Sequence, residues 1–137
     1  DEMIVIDKHA AHERLIYEQL RSNMPGGSAQ MLLLAILTPR WMEYCLDETN
    51  VSKYVQFAVN VFGVNANQEP MAIAKEGIQR LYDFFFKTLG LQGSLTELGI
   101  GKEHFAEMAY KACGGNVLKG FKTLTQDDVI KIYEMCL

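Results

Sequence analysis

Residues 7 to 13 read Asp-Lys-His-Ala-Ala-His-Glu, and four of those seven side chains can ligate a divalent cation. On a helix, His9 and Glu13 are four residues apart, about 40° in azimuth, so they share a face and can hold one ion between imidazole and carboxylate. His12, at i+3 from His9, borders the same face. Asp7 precedes the helix and can reach the site. Glu18 is about 140° round from Glu13 and falls off the face. Lys8 sets a positive charge beside the proposed cation. By spacing, Asp7, His9, His12 and Glu13 are all candidate ligands of this cluster. The same spacing is equally ordinary on a solvated helix face, and two or three ligands alone bind weakly and organise no nucleophile.

Other reactive side chains point to packing rather than chemistry. Cys45, Cys113 and Cys136 are odd in number and widely spaced, so they form neither a disulfide framework nor a CxxC metal site. Cys113 and Cys136 fall on apolar helix faces, as small buried residues do. Gly26-Gly27-Ser28 is too short for a phosphate loop and lacks the strand–turn–helix setting such a loop needs. His104, beside Glu103 in the first turn of a helix, reads as a solvated surface residue. Tyr82, Phe84, Phe85 and Phe86 invite a base-stacking reading. Stacking platforms need basic neighbours, and the local charges of Asp83 and Lys87 cancel. Core packing is the expected role, with Phe84 or Phe86 reaching a second contact surface.

These residues must be positioned by a mostly helical chain. Met3–Ile6 is a short apolar, β-branched run, expected to be a strand. Asp7 ends it and can cap a helix from about Lys8 to Arg21. Ser22–Ser28, with Pro25, Gly26 and Gly27, is a break. Met31–Leu37 is continuously apolar, and its periodicity fits a strand or a helix equally. Thr38-Pro39 reads as a helix start, Thr as N-cap and Pro in the first position. Val51, Tyr54, Val55, Ala58, Val59 and Phe62 then repeat at helical spacing and stop at Gly63. Pro70 opens a helix whose face is Ala74, Ile78, Leu81, Tyr82, Phe85 and Leu89, ended by Gly90. Ser94–Glu97 is a capping pattern for one short turn before Gly99. Phe105, Met108, Ala109 and Ala112 form a face that stops at Gly114-Gly115. Thr125 caps a last helix with Val129, Ile132, Tyr133 and Cys136 inward and Asp127 and Asp128 near its positive end.

Bulk numbers agree with an ordinary folded domain. The chain has 137 residues, 49% hydrophobic and 22% charged, enough to bury a core and too apolar for disorder. No apolar run approaches the roughly 18–20 residues that cross a bilayer. The acidic Asp1 and Glu2 do not resemble a signal peptide. A net charge of −4 argues against a general electrostatic grip on nucleic acid. The odd, widely spaced cysteines favour a reducing, cytoplasmic setting.

Two family resemblances divide the chain. Ile4-Val-Ile-Asp7-Lys8-His9-Ala10-Ala11-His12-Glu13 through Tyr17-Glu18 resembles the endonuclease motif of the MutL C-terminal domain: Asp-Gln-His-Ala, two residues, Glu, four residues, Glu. Asp7, His9, Ala10, Glu13 and Glu18 match; Lys8 replaces Gln. The resemblance implies a Mn or Zn site for nicking DNA at Asp7, His9 and Glu13. The family's Cys-Pro-His-Gly-Arg-Pro and Ala-Cys-[Lys/Arg] segments are missing.

From Leu34-Ala-Ile-Leu-Thr-Pro39-Arg-Trp-Met the chain is similar to iron-containing alcohol dehydrogenases of the butanol branch. The likeness runs through Tyr54–Ala58, Ala72–Phe85, Leu95–Ile100 and Phe105–Ala112 to Thr123–Tyr133. It implies the dehydroquinate synthase-like C-terminal part of that family. That family binds NAD(P) through a Gly-Gly-Gly-Ser segment, and iron or zinc through one Asp and three His. All of these precede the point where the likeness starts, so no cofactor is expected for this chain.

The expectation is a mainly α fold, a bundle of five to six helices with one short N-terminal strand. Residues 1–33 form the MutL-like segment and residues 34–137 the dehydrogenase-like helical domain, an apparent chimera. Three functions stay open: a helical dehydrogenase fragment without independent activity, a residual MutL-like metal-dependent endonuclease or dimerisation segment, and a non-enzymatic interaction protein. Apolar faces without a partner domain would drive self-association.

Overall fold

The computed structural model describes residues 28–137. Five α-helices form: α1 (Ser28–Cys45), α2 (Val51–Phe62), α3 (Pro70–Asp83), α4 (Phe105–Ala112) and α5 (Gln126–Met135). Among the described residues there is no sheet, only an isolated antiparallel bridge between Leu118 and Leu124. The expected strand at Met3–Ile6 and the expected helix from Lys8 to Arg21 lie outside the described residues.

The apolar run after residue 31 is helical, and Pro39 sits inside α1 rather than opening a helix. Proline offers no N–H to the carbonyl four residues back, and such a break costs about 3 kcal/mol. Burial offsets it. Leu33, Ile36, Leu37 and Pro39 are all among the largest fully buried side chains, and each such aliphatic residue contributes about 1.5–3 kcal/mol. Leu34 is the open position, at 41% exposure.

The chain divides into two compact units, one containing residues 92–137 with α1 up to Leu37, the other Thr38–Leu91. In the second unit, Tyr54, Ala74 and Ile78 form one buried cluster, with Met42, Leu46 and Val51 packed on it. Ala58, Val64 and Ile73 form another. Tyr54, Ala58, Ala74 and Ile78 lie on the faces expected from the helical spacing, whereas Ile73 of α3 is a core residue outside the expected stripe. α2 stops at Gly63, whose φ of 63° is left-handed, and Val64 N–H turns back to the Ala58 carbonyl at 3.2 Å. The loop before α2 is closed by Asn50, which accepts from Asp47 N–H and donates to the Cys45 carbonyl.

α3 ends earlier than the apolar pattern implies. After Asp83 the backbone widens into a π-helical turn, Phe84–Thr88, with Leu89 N–H bonded to the Phe84 carbonyl at 2.9 Å. The wider turn carries later side chains off the α3 face. Leu89, expected inward, is 49% exposed, and Phe84 is 42% exposed. Tyr82, Phe85 and Phe86 are half-buried, so the aromatic run is not the core stripe expected of it. Tyr82 instead packs edge-on against Phe86 and lies under the Arg40 guanidinium, 4.9 Å from its ring centre, a cation–π contact.

In the other unit, Phe105, Met108 and Ala109 of α4 face Val129, Ile132 and Tyr133 of α5, all buried. Phe105 and Tyr133 rings are 5.3 Å apart. Thr125 and Asp128 complete a reciprocal capping box at the start of α5. Ser94 accepts from Glu97 N–H over a short 3-10 turn, which Gly99 ends at φ 76°.

The tightest helix contact is at Gly77 of α3. A Cβ there would lie 2.5 Å from the Ala58 Cβ of α2. Gly77→Ala is expected to lower stability by about 1–3 kcal/mol through overpacking. Gly63→Ala has no such neighbour, and its left-handed backbone alone should cost about 1–2 kcal/mol. Urea denaturation measures both; an unchanged midpoint for Gly77→Ala would contradict this packing.

Candidate functional site

Asp7, His9 and Glu13, with His12 and Glu18, lie outside the described residues. The chemistry-bearing groups that are described sit mostly in the two cores, placed there by the same apolar stripes that define the helices.

Cys45, Cys113 and Cys136 are all buried, as expected for the latter two. Cys113 follows α4 and Cys136 follows α5, so each ends a helix in the same core. Burial pushes the Cys113 thiol up; Asp128 adds to this and a backbone hydrogen bond at Leu118 opposes it. A thiol held protonated is a poor nucleophile. Cys136 Sγ instead points at the Ile36 carbonyl of α1, 3.7 Å away.

Tyr133 stands between these cysteines. Burial, then the neighbouring thiols of Cys113 and Cys136, drive its phenol far above the usual tyrosine range. In the other core, Tyr54 is 4% exposed and its hydroxyl donates to the Met42 carbonyl at 2.9 Å. Burial is again the leading cause of its raised pKa, followed by Cys45 and Asp47. Both tyrosines are legible in the sequence as members of apolar stripes. Their hydroxyls are not, because a tyrosine in a stripe has the same spacing as a phenylalanine.

His104 is exposed at the end of the 3-10 turn Lys102–His104, as its sequence context implies. Its neighbour Glu107 is held below the usual carboxylate range, first by its hydrogen bond with Lys111 and only weakly by His104. Among the described residues no three His, Cys, Asp or Glu side chains gather to hold an ion. The described donors therefore do not fit an iron or zinc site. No helix among the described residues is long and apolar enough to cross a membrane.

Among the described residues, the class of structure that results is mainly helical, with the three thiols and the Tyr54 and Tyr133 phenols buried in its cores. Residues 21–137 match the family model described as Fe-containing alcohol dehydrogenase family, C-terminal, and the chain belongs to that family. It is 36% identical over 103 residues to NADH-dependent butanol dehydrogenase A of Clostridium acetobutylicum, covering 74% of this chain and 26% of that protein. It is 37% identical over 105 residues to a probable NADH-dependent butanol dehydrogenase 1 of Bacillus subtilis, covering 76% of this chain and 27% of that protein. The chain thus spans about a quarter of the length of these relatives. A crystal structure of NADH-dependent butanol dehydrogenase A from Thermotoga maritima shares the fold, with a TM-score of 0.69 at 23% identity over 93% of this chain and 32% of that one.

Residues 1–40 match a second family model, the MutL C terminal dimerisation domain. The mismatch repair protein MutL of Caldanaerobacter subterraneus subsp. tengcongensis is 26% identical over 140 residues, covering 98% of this chain and 23% of that protein. Both expected resemblances are therefore present, and their matches overlap across residues 21–40.

The raised phenols give a pH expectation. For Tyr54 and Tyr133 the folded pKa lies above the unfolded one, near 10, so their contribution to stability is complete below that pH and is lost as pH rises beyond it. In an alkaline absorbance titration, two of the six tyrosines should ionise only together with unfolding. Six tyrosines ionising near pH 10 in a chain that remains folded would contradict their burial.

Proposed function

We propose that residues 34–137 are the helical part of an NAD(P)-dependent alcohol dehydrogenase of the butanol type, joined in a chimera to the MutL-like segment of residues 1–33. On this reading the chain has no independent catalysis and needs no cofactor of its own. The observation that carries it is the match of residues 21–137 to the dehydrogenase C-terminal family model. A cytoplasmic location is supported by the odd number and wide spacing of the cysteines. The test is NADH oxidation with butanal and added Fe²⁺ or Zn²⁺. No turnover above buffer is expected; turnover at a rate typical of enzymes, about 1–10³ s⁻¹, would overturn the reading.

A second reading is favoured by the MutL match over residues 1–40, which contains Asp7, His9 and Glu13. In it these side chains hold Mn²⁺ or Zn²⁺ and the chain nicks DNA. It requires Mn²⁺-dependent relaxation of supercoiled DNA, lost in His9→Ala and in Glu13→Ala. No detectable metal binding at millimolar Mn²⁺ would remove it.

Both readings allow self-association as a non-enzymatic role. Val61 at 62% exposure in one unit and Tyr110 at 58% in the other support it, as large apolar groups left in solvent. Light scattering should show dimers or larger species as concentration rises. A monodisperse monomer at high concentration would contradict it.

A further inference from the structure

We draw no further inference here: the strongest candidate, the surface patch at the π-helical turn after α3, where Phe84 and Leu89 are open to solvent, has nothing in the structure to show what covers it, and as a self-association surface it restates the proposal already made.

Discussion

A helix that is apolar on nearly every side has to be surrounded, and α1 imposes that constraint on this protein. Leu32, Leu33, Ala35, Ile36, Leu37 and Pro39 are all buried, and between residues 32 and 39 only Leu34 is exposed. A surface helix would show a single apolar stripe. α1 instead supplies residues to both compact units, up to Leu37 in one and from Thr38 in the other. Its Ile36 carbonyl faces the Cys136 thiol, and its Met42 carbonyl accepts from Tyr54. Each unit thus carries a contact between α1 and a buried polar group, and burial makes the Tyr54 phenol difficult to ionise.

This constraint explains why the reactive residues do no visible chemistry among the described elements. A hydroxyl or thiol in a core is tolerated when it stays neutral or finds a partner. Tyr54 does both, and the Cys113 and Tyr133 protons are held by desolvation. The charged groups lie outside. Arg80–Glu76, Lys87–Asp83 and Lys111–Glu107 are exposed i, i+4 pairs, of the solvent-screened kind that adds little to stability. Stability comes from the apolar faces, and the surface pairs trim the helices that present them.

Much of this was legible from spacing. α2, α4 and α5 begin and end where their stripes, glycines and caps place them, because each buries one face and is stopped by local backbone chemistry. Two elements were misread for identifiable reasons. Thr38-Pro39 has the local signature of a helix start, but the apolar residues before it bury enough surface to carry the helix through the proline. The α3 stripe runs on to Leu89 by arithmetic, yet a π turn adds a residue per hydrogen-bonded ring and rotates Leu89 outward. No residue type in Phe84–Thr88 signals that change. The metal candidates were legible only as a motif, and Asp7, His9 and Glu13 lie outside the described residues. The family was legible too, because the dehydrogenase likeness is spread along the helices rather than concentrated in one motif.

Native-state hydrogen exchange along α1 tests this account most directly, since that helix supplies buried residues to both units. Amides of Ala35, Ile36 and Leu37 should exchange among the slowest in the protein, through openings near the free energy of global unfolding. Exchange at those amides as fast as in the exposed loop of residues 65–69 would contradict it, because a helix released that easily could not anchor either core.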